Sequence, residues 1–238
     1  MLLFYVRHGH PIYNPDQLTP LGERQAEAIG KRLARFGVDE IFASSSNRAK
    51  QTAQPACEML RKSLTELDWC NEHYAWQQLT VVNKNGNRRW LFHDGESRRL
   101  FTDPELLRLG ERWYEHPAFA AYDFKAGLAR IRTEADAFLE SLGYRHIAGT
   151  GAYEVLEDNP KRVALFAHQG FGIAFLSCLL DICYPQFSTH FDMSYTGMTV
   201  IEFKNENGIA IPKVMTLAND GHLYGEGLPT EYNLGERI

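Results

Sequence analysis

The stretch MLLFYVRHGHPIYN constrains the fold most. A continuously apolar run, residues 2–6, stops abruptly at Arg7-His8-Gly9: a permanent cation, an imidazole and a residue with no side chain. A short run without polar alternation suits a strand buried on both faces of a sheet, as in α/β proteins. A core strand does not require such an ending. A site for an anion does.

The residues that follow keep the α/β pattern. A turn-rich loop (His10-Pro11, Asn14-Pro15-Asp16) leads to Thr19-Pro20, an N-cap followed by proline at the first helical position. In LTPLGERQAEAIGKRLARFG, Ile29, Leu33 and Phe36 recur at helical spacing and Gly37 can end the helix. VDEIFAS reads as a second strand, ending in Ser44-Ser45-Ser46, and a second helix runs from about Asn47 with a kink expected at Pro55. RVALFA, residues 162–167, is a third buried-type strand, followed by the apolar helix GFGIAFLSCLLDI. MTVIEF and IAIPKVMTLAN, joined through Asn-Glu-Asn-Gly, read as a closing antiparallel hairpin. The order predicts a three-layer α/β/α protein with a mostly parallel central sheet.

Residues 73–142 differ from this frame. They carry Trp76, Trp90 and Trp113 with mixed charge, and from Pro104 to Leu142 they show helical periodicity. This stretch is expected to be a helical insertion capping one end of the sheet, within a single domain over residues 1–238. Residues 144–160 are expected to be an irregular hairpin.

Composition narrows the function. With 238 residues and 44% hydrophobic content, one sizeable core can be buried. The net charge of −5, from 25 basic and 30 acidic residues, is unlike that of a nucleic-acid binder. Arg88-Arg89 and Arg98-Arg99, near Trp90 and Phe92, therefore read as solvated faces or a substrate rim. The four cysteines form no CxxC pair and read as free thiols of a reducing compartment. The N-terminal apolar run is too short for a signal peptide, and no stretch approaches a membrane span. A cytoplasmic protein without membrane or nucleic-acid partners is expected.

Open α/β sheets bind ligands beyond the carboxyl ends of their strands. Three predicted strands deliver chemistry there: Arg7-His8-Gly9, Ser44 to Arg48, and Ala167-His168-Gln169-Gly170. Two arginines and two histidines at equivalent topological positions suit a tetrahedral dianion, because guanidinium forks match phosphate oxygens in pairs. Each residue alone is unremarkable; their coincidence is not. His8-Gly9-His10 could form a metal pair, but Arg7 beside it opposes a cation, so no metal and no cofactor is expected. Gly170-Phe171-Gly172 resembles the start of a dinucleotide fingerprint, but Phe175 stands where its third glycine belongs. It reads as tight packing at a helix start.

Together, RHG after the first strand, LTPLGERQA, SSSNRAKQTA, FAHQGFG and LANDGHL resemble the histidine phosphatase superfamily, which includes the cofactor-dependent phosphoglycerate mutases. The resemblance covers roughly residues 1–72 and 160–224. It implies His8 as a nucleophile that becomes a phosphohistidine, with His168 as its catalytic partner. Arg7, Arg48, Asn14 (from RHGxxxxN) and Gln169 would bind phosphate, and LDWCNEHYAW offers Glu72 as general acid and base. Asp68 and Glu66 stand as fallbacks. Gln169 departs from the usual glycine and Pro11 from a common serine, which bears on the substrate rather than the chemistry. The expected activity is hydrolysis of small phosphorylated metabolites, a phosphatase rather than a mutase, since PIYNPDQLTP lacks the aromatic, glycine-containing segment of mutases. A phosphoglycerate mutase and a non-catalytic phosphate-binding protein remain the alternatives, and a homodimer is left open.

Overall fold

The computed structural model describes residues 1–233. In chain order, β1 (Leu2–Arg7) is followed by a hairpin of β2 (Pro11–Tyr13) and β3 (Asp16–Leu18), then α1 (Pro20–Phe36), β4 (Glu40–Ser44), α2 (Asn47–Leu60) and β5 (Leu64–Leu67). Next come α3 (Glu72–Gln78), a hairpin of β6 (Thr80–Val82) and β7 (Arg88–Trp90), α4 (Gly95–Leu100), α5 (Pro104–Leu109) and α6 (Phe124–Ser141). The chain continues through β8 (Tyr144–Ile147), β9 (Ala152–Val155), β10 (Arg162–Ala167), α7 (Gln169–Leu180) and α8 (Tyr184–His190). It closes with β11 (Met198–Glu202), β12 (Asn205–Glu206), β13 (Ile209–Ala210), β14 (Lys213–Asn219) and α9 (Gly221–Gly225). No helix among the described residues is long and apolar enough to cross a membrane.

The central sheet has six strands in the order β14-β11-β1-β10-β4-β5. β1, β10, β4 and β5 pair in parallel, and β11 pairs antiparallel with both β1 and β14. The sheet is therefore mixed, with a single reversed strand, as the mostly parallel reading expects. Side chains alternate between two cores. Phe4, Val6, Ala164 and Phe166 pack with Ile29, Leu33 and Ala53 of α1 and α2. Leu3, Tyr5, Val163 and Leu165 pack with Phe171 and Phe175 of α7 and with Ile131 and Leu139 of α6. Burial on both faces is why these strands read as unbroken apolar runs.

The helix ends follow their sequence signals. Thr19 Oγ1 accepts from Gly22 N, Pro20 opens α1, and the Gly37 N–H bonds the Leu33 carbonyl at positive φ. A Cβ on Gly9 would lie 2.7 Å from the Gly22 carbonyl oxygen, and one on Gly22 would run into the His10 backbone. The glycine of RHG and that of LTPLG thus answer one demand: the first turn of α1 presses against the exit of β1. Phe36 is 42% exposed, with its ring stacked on Phe4 rather than buried beneath the helix.

Three segments differ from expectation. Residues 144–160 hold a regular hairpin, β8–β9, instead of an irregular one. The link between β11 and β14 is no simple turn: β12 and β13 pair and extend β9 and β8 into a second, four-stranded sheet. β5 was not anticipated, because LTEL lacks the apolar run of a central strand and lies at the sheet edge. Between α3 and α6 the chain encloses an aromatic cluster, with Trp113 packed against Phe101, Phe119, Phe124 and Tyr184. Cys57, Cys70 and Cys178 are buried, Cys183 is half-buried, and all four are free thiols.

Candidate active site at the strand ends

Register brings the site together. Arg7 lies opposite Ala167, and Phe166 opposite Ala43, so β1, β10 and β4 end level with one another. The next residues, His8 and His168, emerge side by side with ring centroids 5.2 Å apart, and both are almost fully buried. His8 is tied to β10 through its N–H, which donates to the Ala167 carbonyl (2.9 Å).

Hydrogen-bond partners fix both tautomers. His8 Nδ1 lies 2.7 Å from the Gly9 carbonyl oxygen, which can only accept, so Nδ1 carries the proton and Nε2 keeps its lone pair. Arg48 Nη2 can only donate, so His168 Nδ1, 3.0 Å away, accepts. His168 Nε2 then donates to Ser44 Oγ (2.8 Å). Burial pushes the pKa of His8 well below the usual imidazole value, with Arg48 and Arg7 adding to the effect. His168 is lowered in the same way, by burial first and then by Arg48. Both rings are neutral at neutral pH, and the positive charge of the site belongs to the arginines.

Arg48, in the first turn of α2, donates from Nη1 to Asp16 Oδ1 (2.7 Å) and from Nη2 to Glu72 Oε2 (3.1 Å). The other Asp16 oxygen accepts from Asn47 N (2.7 Å), capping α2 where Ser46 makes no side-chain cap bond. Arg7 is fully buried, its guanidinium 3.8 Å from the centre of the Tyr195 ring. It donates to the Met193 carbonyl and to Asn233 Oδ1, both at 2.5 Å. The Nε of Arg7 and the Nε of Arg48 are buried without a hydrogen-bond partner among the described residues. An unmatched buried N–H on a guanidinium costs about 1–3 kcal/mol or more, so two beside one imidazole call for an acceptor.

Glu72 begins α3. Its Oε1 accepts from Gly170 N (3.0 Å) at the start of α7, and its Oε2 lies 3.7 Å from His168 Nδ1. The fallback carboxylates lie elsewhere: Asp68 accepts from Ser45 Oγ and Tyr74 OH, and Glu66 pairs with Lys50. The structure therefore brings together Arg7, His8, Arg48, Glu72 and His168. Asn14 is not among them. It occupies the exposed turn between β2 and β3, and its neighbour Tyr13 faces the adjoining cavity instead. Gln169 is buried at the site, with its amide held between Asp192 and Asn233.

His8, Glu72 and His168 offer ligand atoms within 4.8 Å of one another, the spacing of a metal set. Arg48 bonds both His168 and Glu72, which places a cation inside that set and opposes a metal ion. His10 does not join His8; its Nδ1 meets Thr19 Oγ1 (3.0 Å). The glycines of GFG serve packing. A Cβ on Gly170 would strike the Trp90 ring, and one on Gly172 the Tyr5 ring.

A sequence model described as "Histidine phosphatase superfamily (branch 1)" matches residues 3–117, just under half of the chain and the part that carries Arg7, His8, Arg48 and Glu72. Over these residues the chain is similar to the histidine phosphatase superfamily. The fold agrees across nearly its whole length. A phosphoserine phosphatase from Entamoeba histolytica, solved with 3-phosphoglyceric acid, superposes with a TM-score of 0.60 at 18% identity, covering 93% of this chain and 98% of that one. A mycobacterial glucosyl-3-phosphoglycerate phosphatase gives 0.56 at 19% identity, with 90% and 97% covered. In sequence, a probable phosphoglycerate mutase GpmB of Salmonella arizonae is 28% identical over 134 residues, 50% of this chain. The chain spans 61% of that relative's length.

Several contributors were not singled out from sequence. Asp16 looked like a turn residue, yet it caps α2 and holds Arg48. The superfamily-like segment LANDGHL acts from behind. His222 Nδ1 accepts from Arg32, and its Nε2 donates to Thr196 Oγ1 (2.9 Å). Thr196, held at a φ of 56°, donates its N–H to the His8 carbonyl. His222 thus braces the loop on which His8 rests.

Proposed function

We propose that this protein hydrolyses phosphate monoesters through a phosphohistidine on His8. The supporting observation is a buried neutral imidazole, its Nε2 lone pair free, set among two arginines that each keep an unmatched Nε–H donor. In the first step Nε2 attacks phosphorus and the ester P–O bond breaks. Arg7 and Arg48 hold the phosphoryl oxygens as their charge spreads, and arginine keeps its own charge throughout. Glu72, oriented by Gly170 N and Arg48, gives its proton to the departing alkoxide. In the second step the Glu72 carboxylate takes a proton from water, the new hydroxide attacks phosphorus and the P–N bond breaks. Inorganic phosphate leaves and the imidazole is restored. The covalent route divides one difficult displacement into two.

A lowered His8 pKa serves this scheme, because a protonated imidazole has no lone pair to attack with. The relatives described as probable phosphoglycerate mutases support a second reading, in which a substrate hydroxyl replaces water in the second step. Residues 73–142, which carry Trp76 and Trp90, are proposed to cap the site and select the leaving group. Hydrolysis of p-nitrophenyl phosphate in the presence of EDTA, in wild type and His8→Ala, tests the proposal. Turnover in the wild type alone is expected. Equal turnover in both would remove His8 from the nucleophile's role, and no turnover in either would favour a phosphate-binding protein.

A further inference from the structure

We infer that the leaving group of the preferred substrate is an uncharged alcohol carrying an aromatic ring; this rests on the phosphomonoesterase reading. A cavity of about 430 Å³ adjoins the site, lined by Tyr13, Arg48, Asn71, Glu72, His73, Trp76 and Trp90. Its size fits a single small organic group.

Several polar groups of this lining are already engaged, while the unmatched Arg48 Nε–H is taken by the phosphoryl group in the proposed reaction. Arg48 is held by Asp16, Glu72 and His168. Asn71 accepts from His73 N and donates to Ser45 Oγ, so both ends of its amide are used. His73 Nε2 meets Gln77. Arg48 is the one lysine or arginine among the lining residues, and Glu72 stands next to it. A carboxylate or second phosphate on the leaving group would lose water and meet no second lysine or arginine in this lining.

The rings are placed differently. Trp76 and Trp90 meet edge to face with centroids 5.0 Å apart, presenting an L-shaped apolar corner. Trp90 is fixed from behind, because Gly170 leaves room for its indole against α7. Tyr13 lines the same cavity, 62% exposed, its ring 5.4 Å from the Arg48 guanidinium. A flat ring entering here would stack or meet these faces edge-on. Such contacts add to burial and are worth up to about tenfold in affinity each.

Calorimetric titration of the full chain with 2-phenylethylphosphonate, ethylphosphonate and 2-carboxyethylphosphonate tests this without requiring turnover. All three share one head group and resist hydrolysis. The phenylethyl compound is expected to bind about tenfold tighter than ethylphosphonate or better, and the carboxyethyl compound about tenfold weaker. In Trp76→Ala the phenylethyl advantage should collapse, and in Trp76→Phe part of it should return, with circular dichroism reporting the fold of each. Equal affinities, tighter binding of the carboxyethyl compound, or an advantage untouched in Trp76→Ala would overturn the inference. Binding in the expected order without hydrolysis of any ester would refute the phosphatase reading and leave the leaving-group assignment standing.

Discussion

The floor of the site and the wall beside it are made by different means. The floor, Arg7, His8, Arg48 and His168, sits on residues that end or directly follow buried strands or lie in the first turn of the helix after one. Its geometry is set by the register of β1, β10 and β4, which end level because their backbones are hydrogen-bonded along their length. The wall, Tyr13, His73, Trp76 and Trp90, comes from a surface hairpin, a seven-residue helix and a three-residue strand. Nothing in the central sheet fixes these; aromatic packing and the gap at Gly170 do. Under the proposed function the difference amounts to a division of labour: the rigid floor would carry the reaction, while the packed wall would set its preference with few residues.

Glu72 belongs to both, and so it tests the division most severely. Glu72→Gln should slow alkyl esters by about 10²–10⁴-fold while slowing aryl phosphates far less, since a phenolate needs no proton to leave. Equal slowing of both would show that Glu72 positions the substrate instead of donating to it, and the floor would then end at Arg48.

A smaller effect probes the floor's support. Burial, with Arg32 adding to it, lowers the His222 pKa to about 4 from an ordinary 6.5, and its neutral ring braces Thr196. Between these pH values the unfolded chain binds more protons, so stability falls as pH drops from about 6.5 towards 4. The loss due to this one residue is on the order of 3 kcal/mol. His8 and His168 add in the same direction. Urea unfolding at pH 7 and pH 4.5 should show this decline, and His222→Gln should make it smaller without abolishing it. An unchanged slope in the variant would mean that folding does not lower the His222 pKa.

The same contrast explains what could be read from the chain. The floor was legible because LLFYV, EIFAS and RVALFA announce buried strands, and chemistry at the end of a buried strand is conspicuous. The Thr19 cap and the Gly37 ending of α1 were legible for a similarly local reason. Asn14 was not: its spacing from RHG matched the superfamily pattern, but the short β2–β3 pairing turns it to solvent and Tyr13 toward the cavity. No apolar alternation in PIYNPDQL encodes that orientation. The meeting of Trp76 with Trp90, and the grip of Asp192 and Asn233 on Gln169, depend on residues distant in sequence and are set by tertiary packing alone. The second sheet was hidden because β12 and β13 are two residues each, too short for any periodic signal.

The central claim is the covalent step on His8. Brief mixing with a ³²P-labelled phosphate monoester, followed by denaturing quench under alkaline conditions and peptide mapping, tests it most directly. The account expects an acid-labile, base-stable label on the peptide containing His8, absent from His8→Ala. Turnover of the same ester without such a label, or with the label on His168, would contradict it.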